Sequence, residues 1–182
     1  MVYFCMPTDL EHAILQLKKE SSIYAPFADG ALFKQIIDSL AQPFKDTRVD
    51  KVLGLEARGF ILGAPVAYVL QTGFVVARKK GKMYPKYDNA YVYSTSAIDY
   101  SGTEKTLEIE KNTSAIQRGD KVLIVDDWFE TGGQGHAAIR LVEMAGGEVV
   151  GICMMLDNMK EETRDSFSKY KLHSIAHKPN TK

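Results

Sequence analysis

The chain has 182 residues, enough for one domain with a full core, and its 45% hydrophobic and 25% charged residues are those of a globular protein. Lys+Arg and Asp+Glu both number 23, so the formal net charge is zero, which counts against bulk binding to nucleic acid or an anionic membrane. Two cysteines, Cys5 and Cys153, argue against a disulfide framework or a C-x-x-C metal site; with no signal-peptide pattern at the start and no apolar run near the ~20 residues of a membrane helix, the expectation is a cytoplasmic protein.

In chain order, Thr8 and Glu11 have the spacing of a capping box, and Leu10, Ile14 and Leu17 share one face of a helix running to about Glu20. Residues 21–30 form a turn-rich break. Residues 32–44 return to helical period, with Phe33, Ile36, Ile37 and Leu40 apolar and Pro43 near the end. Residues 49–55 read as a short buried strand ending at Glu56. Residues 59–71 are too long for one strand and predict a helix despite their Gly and Pro. Residues 74–80 are strand-like. Residues 81–105 are polar and scattered with Gly, Pro, Ser and Thr, which predicts a long loop or a mobile hairpin. Residues 106–111 alternate like a half-exposed strand, and 121–127 are the clearest buried strand. Residues 135–147 predict a helix with Ala138, Leu141, Val142 and Ala145 inward, closed by two glycines. A buried strand over 148–156, a polar helix over 158–170 and a last strand over 171–176 complete the pattern. Apolar strands alternating with helices predict a parallel sheet covered on both faces, with ligand binding outside the carboxyl ends of the strands.

Three segments at those ends carry chemistry. In DDWFETGGQ (126–134), a buried strand delivers Asp126 and Asp127 to the sheet edge, and Thr131, Gly132 and Gly133 lead into a helix. A helix start offers backbone N–H groups and a positive dipole end to a phosphate, and glycines allow close approach. Paired carboxylates beside such a cradle suit sugar hydroxyls or Mg²⁺; an ordinary strand–loop–helix turn is the alternative. In EARG (56–59), Arg58 at a strand-to-helix turn has the rigid fork that grips phosphate, or is a plain surface arginine. In RKKGK (78–82), Arg78, Lys79, Lys80 and Lys82 cluster where pyrophosphate could bind, or form a solvated face. Strand alternation points Lys79 away from Arg78 and Lys80, so at most part of the cluster serves one ligand. Together the three imply a ligand with two separate phosphate groups and a sugar between them.

The segment VLIVDDWFETGGQ (122–134) resembles the phosphoribosyl pyrophosphate motif of the type I phosphoribosyltransferases. More closely, GLEARGFILGAPVA (54–67), VARKKGKMYP (76–85) and LEIEKNTSAIQRGDKVLIVDD (107–127) look like the adenine phosphoribosyltransferases, in order over roughly 49–156. The resemblance implies an α/β fold in one domain over 1–182. Its central, mostly parallel sheet would be flanked by helices, with a small base-binding hood over about 1–45 and a flexible loop over about 81–105. It implies transfer of the 5-phosphoribosyl group from phosphoribosyl pyrophosphate to a purine base, adenine as the best single guess, in purine salvage with Mg²⁺. A donor-binding regulator without catalysis and a transferase for another base are the alternatives.

The resemblance also implies roles. Asp126 and Asp127 would contact the ribose hydroxyls and, through ribose and pyrophosphate, the Mg²⁺ indirectly. Glu130, Thr131, Gly132, Gly133 and Gln134 would wrap the 5′-phosphate. Ala57, Arg58 and Lys79, with Lys82 beside them, would hold the pyrophosphate, and Arg58 would stabilise its departure. The Glu56–Ala57 bond is often cis in this family. A loop carboxylate, Asp99 or Glu104, would assist proton movement at the base; the family has Glu-Tyr where this chain has Asp99-Tyr100, with about two extra residues before TLEIE. Phe27 or Tyr24 could stack on the base or serve the core. The family's ATGGT is here ETGGQ, and its Phe-Arg-Asp stretch is here Phe27-Ala28-Asp29 in a shorter connection. Family members are commonly homodimers, and Val2, Tyr3 and Phe4 suit packing or an interface.

Overall fold

The computed structural model describes residues 10–17, 24–83, 92–98, 104–111 and 115–179. Among these, helix α1 (Leu10–Leu17), α2 (Ala25–Ala28) and α3 (Gly30–Ala41) precede the first strand. Strand β1 (Lys51–Leu55), helix α4 (Arg58–Val69) and strand β2 (Gly73–Lys79) form a right-sized crossover unit, followed by β3 (Val92–Ile98) and β4 (Glu104–Glu110). Then come β5 (Lys121–Phe129), α5 (Gly133–Met144), β6 (Glu148–Asp157), α6 (Glu161–Asp165) and β7 (Lys171–His177). The strands lie in one seven-stranded sheet ordered β3-β4-β2-β1-β5-β6-β7. Strands β2, β1, β5, β6 and β7 are parallel; β4 runs antiparallel to β2 and to β3.

Alternation explains why the central strands read as unbroken apolar runs. In β5, Val122 and Ile124 enter the cluster beneath α5, while Leu123 and Val125 enter the cluster beneath α1, α3 and α4. In β6, Ile152 and Met154 face the first cluster, and Cys153 and Met155 the second. Each such side chain contributes about 1.5–3 kcal/mol when fully buried. Cys153 is free, and burial pushes its thiol pKa up, so it is a small apolar filler rather than a nucleophile. The same arithmetic lets α4 carry Pro65 in its interior. A helix-interior proline costs about 3 kcal/mol, which burial of Leu62 and Val66 offsets.

Two expectations change. The polar stretch 81–105 contains a true strand: β3 pairs with β4 from Val92↔Glu110 to Ile98↔Glu104, so the hairpin reading holds for its second part. Ser94, Thr95 and Ser96 hide this strand from a hydrophobicity pattern, because it lies at the sheet edge and, from Val92 to Ala97, only Val92 is buried. Arg140 of α5 fastens it, Nε donating to Thr95 Oγ1 at 3.0 Å and a terminal nitrogen to the Ser96 carbonyl at 2.6 Å. The polar helix expected over 158–170 shrinks to α6, with turns on to Lys169. There the buried Asp157 accepts from the Met159 N–H at 2.9 Å and from Arg164 Nε at 2.8 Å, which organises the segment as a turn rather than a continuous helix. Thr8 and Cys5 lie outside the described residues, as do Val2, Tyr3 and Phe4.

Candidate active site

The carboxyl ends of β1, β2 and β5 open on a cavity of about 730 Å³. Its walls hold Glu56, Ala57 and Arg58 after β1, Lys79 at the end of β2, Lys105 on β4, and every residue from Asp126 to Gly135, with Tyr24 at the rim.

The approach of α4 to β5 depends on a missing side chain. A Cβ on Gly59 would lie 2.7 Å from the Val125 carbonyl oxygen and 3.0 Å from Asp126 Oδ1. With glycine there, the start of α4 closes onto the end of β5, and Arg58 Nε donates to Asp127 Oδ2 at 2.6 Å. The Asp127 side chain is 8% exposed and the Arg58 side chain 31%. Removing one partner therefore leaves a largely desolvated charge, which costs more than a surface pair would. Gly59→Ala should lower stability by about 1–3 kcal/mol and loosen this ion pair. Chemical denaturation measures the first effect; a stability change below ~0.5 kcal/mol would contradict the packing argument.

Asp126 is 4% exposed and sits beside Asp127. Burial, and then the neighbouring Asp127 charge, hold its carboxyl pKa well above the ordinary carboxylate value. Its Oδ1 accepts the Asp127 N–H at 2.9 Å. Across the cavity, Glu56 Oε2 accepts the backbone N–H of Lys79 at 2.8 Å and lies 3.5 Å from Arg78 Nε. Glu56 thus ties the end of β1 to the end of β2 and fixes where Lys79 leaves the sheet. The Glu56–Ala57 peptide is cis.

The loop between β5 and α5 turns at Gly132, whose φ of +71° lies in the left-handed region. A Cβ there would meet Thr163 Cγ2 at 2.8 Å and the Phe167 ring at 2.9 Å. The loop is thus backed by the segment after β6, and the Asn158 N–H donating to the Phe129 carbonyl at 2.8 Å joins the two. No side chain caps α5. Thr131 Oγ1 reaches the Gly133 N–H only at 3.4 Å, a weak contact. Gly133, Gln134 and Gly135 line the cavity, so the first turn of α5 presents backbone to it in the manner of an anion site.

The structure brings together Ala57, Arg58, Lys79, Asp126, Asp127 and the whole run from Glu130 to Gln134. Lys82 is exposed and Glu104 sits at the exposed start of β4; neither is among the cavity-lining residues, and Asp99 lies outside the described residues. Phe27 is half-buried and stacks edge-on with Tyr24 and Phe33 at 6.3 and 5.9 Å between ring centroids. Tyr24, 57% exposed, is the one of that pair that lines the cavity. Sequence reasoning missed Lys105 and Trp128. The register could have found Lys105: it shares the pleat of Leu107 and Ile109, which pack beneath α5, so its side chain lies on the α5 side of the sheet.

Residues 26–181 match the family described as the phosphoribosyl transferase domain. The chain is 46% identical to the adenine phosphoribosyltransferase of Cereibacter sphaeroides over 131 residues, 72% of this chain and 69% of that one. It is 38% identical to that of Clostridium botulinum over 147 residues, 81% of each chain. Among solved structures, adenine phosphoribosyltransferase from Rhodothermus marinus superposes with a TM-score of 0.76 at 33% identity, over 92% of this chain and 99% of that one. The APRTase of Giardia lamblia, complexed with 9-deazaadenine, gives 0.75 at 29% identity, over 87% and 86%.

Proposed function

Since the chain belongs to the phosphoribosyltransferase family, we propose that it transfers the 5-phosphoribosyl group from phosphoribosyl pyrophosphate to adenine, giving AMP and pyrophosphate, a purine-salvage reaction. The observation that carries this reading is one cavity with the Asp126–Asp127 pair at its centre, an uncapped helix start on one side, and Arg58 and Lys79 on the other. Curated relatives at 38–46% identity named for adenine supply the base.

In this reading the 5′-phosphate lies against backbone N–H groups from Glu130 to Gln134 and the Thr131 hydroxyl. Glu130 contributes through its backbone, and the Gln134 amide donates where the family has a hydroxyl. Asp126 and Asp127 accept from the ribose hydroxyls. Ala57, Arg58 and Lys79 hold the pyrophosphate, and Lys105 adds a third cation from β4. The bond from the anomeric carbon to pyrophosphate breaks with its electron pair going to the leaving group. A ring nitrogen of adenine bonds to that carbon and gives up its proton. We assign that proton to Asp99, with Glu104 as the second candidate carboxylate. The developing positive charge on the sugar and negative charge on the leaving group are met by groups already in place, which is where most of the acceleration arises.

No group of three or more His, Cys, Asp and Glu among the described residues could hold a metal ion alone. The two adjacent carboxylates Asp126 and Asp127 in the cavity fit Mg²⁺, which is bound through one or two carboxylates and substrate phosphates rather than an all-protein cage. Asp126 and Asp127 would hold it indirectly, through ribose and pyrophosphate, and it would offset charge on the departing pyrophosphate. A second copy of the chain is the partner we assign: Ile61 and Tyr68, seven residues apart on α4, are 38% and 84% exposed, and two apolar groups at that spacing share a helix face. No helix among the described residues is long and apolar enough to cross a membrane. The reading places the protein in the cytoplasm without nucleic-acid or membrane partners, and its zero net charge is in keeping with that.

The test is pyrophosphate release from phosphoribosyl pyrophosphate and Mg²⁺ with a panel of purines and pyrimidines. Adenine should turn over fastest, and chelating the Mg²⁺ should stop the reaction. Donor binding without turnover of any base would replace the enzyme with a donor-binding regulator.

A further inference from the structure

The loop from Phe129 to Gly135 lines the cavity, and a segment that does not line it packs against that loop. The segment starts at Asp157, whose fully buried carboxylate accepts from the Met159 N–H and from Arg164 Nε. The Phe167 N–H then donates to the Arg164 carbonyl at 3.0 Å. This folding brings Thr163, Ser166 and Phe167 against the start of α5. The Phe167 ring, 1% exposed, meets three residues there. A Cβ on Gly132 would lie 2.9 Å from it, and one on Gly135 3.1 Å. The His136 ring lies flat on it, 4.1 Å between centroids and 15° between planes, with Nε2 2.8 Å from Ser166 Oγ. Thr163 Cγ2 stands 2.8 Å from the same Gly132 Cβ position.

These contacts bear on the backbone that would hold a phosphate. The His136 N–H donates to the Gly132 carbonyl at 3.0 Å, so the helical bonding of α5 begins there, and the N–H groups of Gly133, Gln134 and Gly135 precede it. No side chain caps α5, so the direction of those N–H groups follows from the shape of the loop. Hydrogen bonds weaken steeply as distance and angle depart from the optimum, and a binding site has to be held within about 0.5 Å of its working geometry. Glycines at 132, 133 and 135 bring no side chains that could fix the turn from within. Resting on the transferase reading above, in which this loop receives the 5′-phosphate, we propose that Phe167 is a positioning residue for that phosphate. Its ring, with the Thr163 methyl group beside it, fills the space into which Gly132 and Gly135 would otherwise relax. It thereby sets affinity for the phosphate end of the donor without touching the donor. Ala57, Arg58 and Lys79, assigned to the pyrophosphate, stand after β1 and at the end of β2, so the effect is confined to the phosphate end.

The test measures ribose 5-phosphate binding by calorimetry and pyrophosphate release by steady-state kinetics, in the parent, Phe167→Leu and Thr163→Ser. Phe167→Leu should raise the Kd for ribose 5-phosphate and the KM for phosphoribosyl pyrophosphate by about 10- to 100-fold, the weakening produced by losing one hydrogen bond to a charged group. The KM for adenine at saturating donor, and kcat, should stay within about threefold, as expected when binding common to ground and transition state is lost. Thr163→Ser removes only the methyl group and should shift the same two constants in the same direction by about two- to fivefold. A phenylalanine serving the fold alone would lower Tm and the number of binding-competent molecules, and the folded ones would keep the parent Kd. That result overturns the proposal, as would equal rises in both KM values; turnover by the parent leaves the transferase reading standing in either case. If Phe167→Leu does not fold, Thr163→Ser decides, and a parent-like Kd overturns the proposal. A parent protein that neither binds ribose 5-phosphate nor releases pyrophosphate would remove both.

Discussion

Arg58→Ala should lower kcat/KM for phosphoribosyl pyrophosphate by about 100- to 1,000-fold, the usual effect of removing one donor aimed at developing charge. Two consequences of the geometry combine in that figure. On the proposed assignment the guanidinium is lost from the pyrophosphate, and Asp127, 8% exposed, loses the Nε donor that lies 2.6 Å from it. An unpaired carboxylate at that depth will repel the pyrophosphate and orient the ribose poorly. Arg58→Lys keeps the charge and loses the planar fork, so it should recover only part of the rate. Steady-state kinetics with each substrate varied in turn decide this. A loss below tenfold in Arg58→Ala would mean that Arg58 only holds Asp127 in place.

The contrast between Arg58 and Trp128 shows what was legible before the fold was known. EARG, RKKGK and DDWFETGGQ could be read as charge and glycine at strand ends, because anion binding uses residue types that are conspicuous wherever they occur. The buried strands β1, β5 and β6 were legible for a related reason: a strand covered on both faces needs apolar residues at every position. Trp128 fell within DDWFETGGQ with no role of its own, and only the cavity wall distinguishes it. β3 was hidden by the opposite problem. An edge strand of serines and threonine gains its order from hydrogen bonds to β4 and from Arg140, none of which is periodic in the sequence. Phe167 and Thr163, which back Gly132, sit some thirty residues downstream in what reads as a polar helix. Their role is a tertiary contact with no local signature.

Asp126→Asn should make the ligand-free protein more stable and the enzyme much worse. Burial first, and then the Asp127 charge, raise the folded-state pKa of Asp126 above its ordinary value of 3.8. Between the unfolded pKa and the raised folded one, the folded protein holds a proton that the unfolded chain has released. Stability therefore falls as pH rises through that window, and the full penalty is present above it. Asparagine has the same shape, keeps the Oδ1 acceptor for the Asp127 N–H, and carries no charge to desolvate. Near neutral pH its Tm should exceed that of the parent, by about 2–4 °C for each kcal/mol gained. As pH falls toward about 4, where the unfolded aspartate also binds its proton, the gap should close. Function should move the other way. A neutral amide in place of a charged acceptor weakens the contact to a ribose hydroxyl, and kcat/KM for phosphoribosyl pyrophosphate should fall about 10- to 100-fold. Calorimetric melting across pH, set beside steady-state kinetics, tests both halves. If Asp126→Asn melts below the parent at neutral pH, or by an amount that does not vary with pH, then Asp126 is not a strained acid kept for its ligand. A gain in stability with loss of turnover would mean that this carboxylate destabilises the empty site and is retained because the donor needs it.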